Sequence, residues 1–127
     1  METNPATRKR ILDATDAAVN GERNSSYGDP TQDFARTARY WNEHLCAKYE
    51  RIIAPHIEKY PEDKKSLEGL MDFLVDLVEA EDVAVMMSLL KISRISWSPN
   101  KEDHWVDLAG YAACGAQCAE ARHGGLT

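Results

Sequence analysis

The sequence predicts a single all-α domain, a helical bundle of four main helices and one shorter helix. Apolar residues recur at spacings of three and four along most of the chain, and cap-plus-proline pairs open two of the segments. No stretch shows the alternation or the Val/Ile/Thr-rich composition of β-strands. We assign the domain to residues 1–127 and expect residues 122–127 to form a frayed tail.

The composition is that of a globular protein rather than of a disordered or membrane-spanning one. Of the 127 residues, 43% are hydrophobic and 28% are charged, and the net charge is −6. No apolar run approaches the roughly 20 residues that cross a bilayer, and the N-terminus lacks the apolar core of a secretion signal. An acidic chain disfavours duplex nucleic acid as a partner. These features predict a cytoplasmic protein that does not bind membranes.

The first two helices have clear start signals. Asn4-Pro5 opens the first, and Asn20-Gly21 predicts its end near Val19. The polar stretch 22–29 is then expected to be a loop, either a plain surface connection or a segment that faces a ligand. Asp29-Pro30 opens the second helix, which Pro55 should end near residue 54.

The second helix carries two stripes of side chains, one apolar and one polar. The apolar stripe is Phe34, Ala38, Trp41, Leu45, Tyr49 and Ile52, and the polar stripe is Asp33, Thr37, Tyr40 and His44. Residues 56–66 read as a surface connection. A short amphipathic helix is expected to follow them, on the stripe that begins at Leu67.

Two helices joined by residues 97–100 make up the rest. The central one, from Glu81, is apolar nearly all round, which predicts a place in the middle of the domain. Lys91 and Arg94 lie on one side of it. They either extend into solvent, or serve phosphate oxygens or buried carboxylates.

The last helix carries Asp103 and Asp107 one turn apart, with Gly110 and Tyr111 continuing their face. Asp103 is equally well explained as an acid in a first helical turn. Carboxylates on neighbouring helices are natural ligands of Mg²⁺. An antiparallel pair would instead place both aspartates against Arg94 and Lys91, as ion pairs. A metal site would then need acids from a third helix or a second subunit.

Other site types find little support. Cys46, Cys114 and Cys118 show neither a disulfide framework nor zinc spacing, and read as packing residues. The four histidines share no catalytic spacing, and the sequence contains neither a P-loop nor a GxGxxG motif.

Three segments carry a family resemblance: YGDPTQDFARTARYWNEHL at 27–45, EDVAVMMSLLKISRI at 81–95 and DHWVDLAGYAA at 103–113. They resemble a family of small phage and prophage proteins known mainly as a domain of unknown function. That family is in turn similar to the all-α MazG and dUTPase-like nucleotide pyrophosphohydrolases. Those enzymes bind Mg²⁺ through an ExxE and a later ExxD motif and release pyrophosphate from nucleoside triphosphates.

The resemblance implies a metal site of four acids. Glu79-Ala80-Glu81-Asp82 gives ExxD in place of ExxE, and His104-Trp105-Val106-Asp107 gives HxxD in place of ExxD, with Asp103 one residue earlier. The implied metal ligands are therefore Glu79, Asp82, Asp103 and Asp107, for Mg²⁺ with Mn²⁺ as a substitute. Lys91 and Arg94 would neutralise developing phosphate charge as catalytic groups. The resemblance also implies a homo-oligomer with sites at subunit contacts.

The resemblance therefore implies a MazG-like, Mg²⁺-dependent (d)NTP pyrophosphohydrolase, in the host cytoplasm if a phage encodes it. Its partner would be a nucleotide or another phosphorylated small molecule. The candidate ligand-binding residues are Arg23, Tyr27, Asp29, Asp33 and Tyr111. The alternatives are a non-catalytic protein that binds or sequesters a nucleotide or signalling nucleotide, and a helical protein-interaction oligomer.

Overall fold

The protein folds entirely into helices and turns over residues 3–127, which a computed structural model describes. The elements are α1 (Ala6–Ala17), a π-helical segment (Ala18–Glu22), α2 (Arg23–Tyr27), α3 (Pro30–Lys59), a 3₁₀ turn (Pro61–Asp63), α4 (Lys64–Leu74), α5 (Ala80–Trp97) and α6 (Glu102–His123). The all-α class is confirmed. Because α1, the π segment and α2 run on without a break, they count as one of four main helices, and α4 is the shorter one.

The N-terminal helix starts as predicted but does not stop at Asn20-Gly21. The Asn4 side chain accepts a hydrogen bond from the Ala6 N–H at 3.0 Å. The predicted loop at 22–29 is wrong, because the backbone widens into one π-helical stretch and continues as α2 to Tyr27. No proline interrupts this region, and Val19 packs against Gly110 of α6. Tertiary packing therefore overrides the local stop signal.

The long helix α3 is capped as predicted and ends later than predicted. The Asp29 carboxylate accepts the Thr31 N–H at 2.8 Å, with Pro30 in the first turn. The predicted end near residue 54 is wrong, since α3 runs through Pro55 to Lys59. Both Pro55 and Arg51, whose carbonyl loses its partner, are exposed. Water can bind that carbonyl, so the interruption is tolerated.

The predicted surface connection at 56–66 is also largely helical. The end of α3, the 3₁₀ turn and the start of α4 occupy it, and His56 contacts Asp63 at 2.7 Å across the turn. We call the distal part of α3 together with the 3₁₀ turn and α4 the α4 hairpin. Within the described residues, α4 packs on α3 and on the 3₁₀ turn and on no other element.

Helices α5 and α6 form the antiparallel pair that the sequence predicts. Gly115 lies so close to α5 that a Cβ placed on it would be 2.7 Å from the Cβ of Ala84. The predicted frayed tail at 122–127 is wrong at its start, because α6 continues to His123 and Arg122 pairs with Glu81. Gly124 ends the helix in the left-handed conformation, at φ 77°.

The core is small and is built mainly from small side chains. Its buried hydrophobic members are Phe34, Ala38, Val78, Val83, Ala84, Cys114 and Cys118. Asn42 of α3 holds the segment before α5 by bonding both the N–H and the carbonyl of Val78, each at 2.9 Å. The predicted central position of α5 is only partly correct, since one of its faces is exposed. Within residues 3–127, no helix has the length and apolar composition to cross a membrane.

Candidate functional site

A cavity of about 490 Å³ lies between the N-terminal helix and helices α3, α5 and α6. We call α1, the π segment and α2 together the arm, and we call the cavity the arm cavity, because the π segment and α2 form one of its walls. The residues that line it are Ala18, Val19, Glu22, Arg23, Ser26, Tyr27, Asp33, Phe34, Thr37, Trp41, Val83, Met87, Asp107, Gly110, Tyr111 and Cys114. Four of the five candidate ligand-binding residues are among them, and they come from three different helices.

An ion pair joins the arm to α3. The guanidinium of Arg23 lies 2.5 Å from the Asp33 carboxylate, and both side chains are largely buried. Arg23 also donates to the carbonyl of Gly28 at 3.1 Å and stacks over the Phe34 ring at 4.9 Å from its centroid. Arg36 approaches the other oxygen of Asp33 at 3.3 Å. These contacts fix the π segment and α2 as a wall, so the cavity depends on them.

The turn between α2 and α3 explains the role of Asp29. Gly28 has a φ of 82°, which favours glycine, and so lets the chain reverse into the cap of α3. Hydrogen bonds from Thr31 keep the pKa of the Asp29 carboxyl below its ordinary value. Gln117 of α6 donates to the same carboxylate at 3.3 Å. Asp29 therefore serves as a helix cap and lies outside the cavity lining, unlike the other four candidates.

A second ion pair lies at the α5–α6 side of the cavity. The Nζ of Lys91, a buried residue, is 2.8 Å from the Asp107 carboxylate, which is half-exposed and lines the cavity. The predicted Asp–Lys pair between these helices is therefore present. One turn further along α6, Tyr111 packs against Phe34 at 6.3 Å between ring centroids. Burial raises the pKa of Tyr111, so its hydroxyl is a neutral hydrogen-bonding group at neutral pH.

Arg94 and Asp103 do not join this group. Both residues are exposed, and within residues 3–127 neither makes an ion pair, so the predicted pairing of Asp103 with Arg94 is wrong. Lys91 and Arg94 are three residues apart on α5, but only Lys91 is positioned against α6. The arrangement therefore gives Lys91 a partner beside the cavity and leaves Arg94 at the surface.

The four predicted metal ligands do not meet within one chain. Glu79 and Asp82 form a capping box at the start of α5, each side chain accepting the backbone N–H of the other. Asp107 is held by Lys91, and Asp103 points to solvent from the first turn of α6. Across residues 3–127, no group of three or more histidine, cysteine or acidic side chains is arranged to hold a metal ion. The donor set of a single chain thus does not fit Mg²⁺, and a shared metal site stays a prediction.

A second cavity, of about 880 Å³, lies between α3, the segment before α5 and the end of α6. Glu43, Glu79 and Arg122 are among its lining residues. Arg122 is engaged by Glu81, and its hydrogen bond keeps the pKa of the Glu81 carboxyl below the ordinary value. This cavity contains none of the candidate ligand-binding residues.

Several lining residues of the arm cavity were not candidates from the sequence. Phe34 and Trp41 belong to the stripe predicted to be core, and Thr37 belongs to the polar stripe that also contains Asp33. Glu22 and Ser26 come from the segment predicted to be a loop. The polar stripe of α3 was the available signal for Thr37. The others depend on the path of the arm, which local patterns did not reveal.

Comparison with known proteins places the chain in a family. The profile of a family described as a domain of unknown function (DUF6378) matches residues 10–119. The Gene 55 protein of Mycobacterium phage L5 is 33% identical over 102 residues, which is 80% of this chain and 47% of that protein. The Gene 55 protein of Mycobacterium phage D29 is 27% identical over 104 residues, 82% of this chain and 50% of that protein.

The chain thus spans about half the length of the curated relatives it matches. No solved structure matches it. The predicted resemblance to a phage family of unknown function is confirmed, whereas the likeness to MazG enzymes stays a prediction. Because the family profile matches residues 10–119, which is most of the chain, this chain belongs to the DUF6378 family.

Proposed function

We propose that the protein binds a nucleotide in the arm cavity. The observation that carries this proposal is the convergence of Arg23, Tyr27, Asp33 and Tyr111 on one cavity. Its volume, about 490 Å³, falls within the roughly 300–1,000 Å³ of small-molecule sites. Such sites combine apolar and aromatic walls with a few fixed polar groups, as this cavity does.

The walls suit a nucleobase and a sugar. Tyr27 and Tyr111 offer aromatic surfaces, on which any base can stack. Ser26 and Thr37 add hydroxyl groups that can donate to or accept from a base edge or a ribose. The Arg23–Asp33 pair is fixed before the ligand arrives, which lowers the entropy cost of binding.

The charged side chains of the cavity lining limit where the phosphates of a nucleotide can bind. Glu22, Asp33 and Asp107 line the cavity, while its cations, Arg23 and the adjacent Lys91, are already paired with two of these acids. The cavity therefore has no spare positive charge for a triphosphate. A nucleotide would either keep its phosphates at the mouth or bring a divalent cation with it.

This acid surplus favours a second candidate function, the Mg²⁺-dependent (d)NTP pyrophosphohydrolase implied by the MazG resemblance, with Mn²⁺ as a substitute. Because the acids of one chain do not form a metal site, this candidate requires a homo-oligomer that brings carboxylates of two copies together. The activity of the longer relatives, of which this chain matches about half, would rest on the same proposal.

The binding proposal is tested with Tyr27, a cavity-lining residue that is 63% exposed. Calorimetric titration with a panel of ribo- and deoxynucleotides, with and without Mg²⁺, should identify at least one ligand. Tyr27→Ala should weaken that ligand's binding about tenfold or more, since stacking a base on an aromatic ring contributes about 1–3 kcal/mol.

The matched control is Tyr40→Ala, which removes an equally exposed tyrosine of α3 from outside the cavity. The control should bind as the wild type does. The site assignment is wrong if both variants bind equally well, and the nucleotide proposal is wrong if no nucleotide in the panel binds.

Hydrolysis is tested separately, by measuring pyrophosphate release from the same panel with Mg²⁺ or Mn²⁺. Turnover that Tyr27→Ala reduces would support the enzyme candidate. Tight binding without any pyrophosphate release would reject it and leave a nucleotide-binding protein.

A further inference from the structure

One face of α5 is apolar and uncovered. Val85, Leu89, Ile92 and Ser96 follow each other at intervals of four, three and four residues, and Met86, Leu90, Ser93 and Trp97 form a parallel row beside them. The six large side chains of these rows are between 39% and 90% exposed. No residue of the two rows is charged. This spacing is that of a helix seam that packs against another helix.

The α4 hairpin carries a second uncovered apolar surface. Ile52 of distal α3, Leu70 and Phe73 of α4, and Leu77 just after it are all exposed, Phe73 by 82%. Because α4 contacts only α3 and the 3₁₀ turn within residues 3–127, neither α5 nor α6 covers this surface. Leu70 and Phe73 lie three residues apart, so they share one side of the helix.

The single chain has a larger accessible surface than a compact monomer of its mass. Its accessible surface is 9215 Å², whereas a compact monomer of 14.3 kDa exposes about 6,800 Å². The described residues also bury no large side chain completely. A globular sequence that is 43% hydrophobic is expected to cover more of its apolar surface than this.

We propose that a second copy of this chain supplies the missing cover, and that the α4 hairpin of each copy packs on the α5 face of the other. A two-fold axis pairs the two surfaces twice in one closed contact, so neither stays exposed. A contact of α5 with α5 alone would leave the hairpin uncovered. Both surfaces are apolar, and the α5 rows are uncharged, so a second copy meets no charge repulsion there.

The area agrees with a stable dimer. The single chain exposes about 2,400 Å² more than a compact monomer of its mass, and the six large α5 side chains contribute to this excess. A standard interface buries about 800 Å² on each partner, and the hairpin adds to the area on α5. This dimer does not depend on the arm cavity or its ligand, so its test is independent of the nucleotide-binding proposal. Only the pyrophosphohydrolase candidate also requires an oligomer.

The experiment uses a charge pair across the proposed contact. Leu89→Lys on α5 and Phe73→Glu on the hairpin each place a charge in both copies of the contact. We expect each variant to be monomeric by analytical ultracentrifugation, with dimerisation weakened about a hundredfold or more. Leu12→Lys is the matched control, because Leu12 of α1 is as exposed as Leu89, 65% against 58%, and lies outside both surfaces. It should dimerise as the wild type does.

Mixing the two monomeric variants is the decisive step. In a mixed pair one contact keeps the native Leu89 and Phe73, and the other sets Lys against Glu. Reciprocal packing therefore predicts that the mixture forms heterodimers. The proposal is overturned if the wild type stays monomeric up to high micromolar concentration, if either variant remains dimeric, or if the mixture stays monomeric. Circular dichroism checks that the variants keep their helices, and Leu89→Arg, which keeps the positive charge, replaces Leu89→Lys if the latter unfolds.

Discussion

Lys91 is a buried cation with one carboxylate beside it, and this pair decides what Asp107 does for the protein. An ammonium group inside a helical bundle is costly unless a carboxylate or hydrogen bonds compensate it. Asp107 reaches it from a position that is half-exposed, so solvent weakens the pair. The same carboxylate also faces the arm cavity. One residue thus contributes to both stability and the candidate site.

Asp107→Ala should lower the free energy of unfolding by about 1–3 kcal/mol, because it leaves the buried ammonium of Lys91 without its partner. Urea titration measures this loss. The double variant Lys91→Met/Asp107→Ala should recover part of it, since no orphaned charge is left. The control Asp103→Ala, an exposed acid of the same helix, should change stability by less than about 0.5 kcal/mol. Equal effects of the two aspartates would contradict the assignment.

The close contact between α5 and α6 depends on a glycine, Gly115, at the point where the helices meet. Because Gly115 has no side chain, the two helices approach closely there, with Gly115 against the Cβ of Ala84. That methyl group is fixed to the backbone and cannot move aside by rotation. The closeness of this contact follows only from the way the two helices pair.

Gly115→Ala should destabilise the protein by about 1–3 kcal/mol, because its methyl group would lie 2.7 Å from the Cβ of Ala84. Gly21→Ala is the matched control. The position of Gly21 in the π segment is open, with nothing within 4 Å of the added Cβ. There the substitution should stabilise by about 0.5–1 kcal/mol, since alanine loses less backbone freedom on folding. Thermal unfolding compares the two variants. If both destabilise equally, close packing at Gly115 is not the cause.

The end of α6 is tied to the start of α5 by Arg122 and Glu81. The hydrogen bond from Arg122 is the largest cause of the lowered pKa of Glu81. A carboxyl with a lower pKa in the folded state contributes stability above its unfolded pKa, near 4.5, and loses it as the pH falls through the folded pKa. Arg122→Ala should therefore flatten the loss of stability that sets in as the pH falls below the unfolded pKa near 4.5. Urea titrations at several pH values measure this. An unchanged slope would show that another carboxyl causes the acid sensitivity.

The helix boundaries show what local patterns could and could not predict. The starts of α1 and α3 were correct, because Asn4-Pro5 and Asp29-Pro30 satisfy backbone groups through the side chains next to them. The predicted ends at Asn20-Gly21 and Pro55 were wrong. Glycine and proline make a helix locally less stable. Packing of Val19 on Gly110 compensates for this at the first site, and solvent access to the backbone compensates for it at Pro55. Neither condition can be read from a short window of sequence.

At the scale of the whole molecule, the sequence supplied four candidate residues that share one cavity, but not the cavity itself. Arg23, Tyr27, Asp33 and Tyr111 were candidate ligand-binding residues from the sequence, and they line one cavity. The cavity exists because the arm continues past residue 20 and folds over α3, where Arg23 meets Asp33. The sequence predicted a loop there. It therefore predicted the members of the group without the wall that assembles them.

The exposed α5 face gives the final prediction, which concerns thermal unfolding. If two copies bury it, folding is coupled to association, and the wild-type melting temperature depends on protein concentration. A hundredfold rise in concentration stabilises such a dimer by about 2.7 kcal/mol, which should raise the melting temperature by several degrees. Leu89→Lys should melt at a lower temperature that does not change with concentration, while Leu12→Lys should follow the wild type. A wild-type melting temperature that stays constant over this range would mean that the chain folds without a second copy, and that its 9215 Å² of surface belongs to a stable monomer.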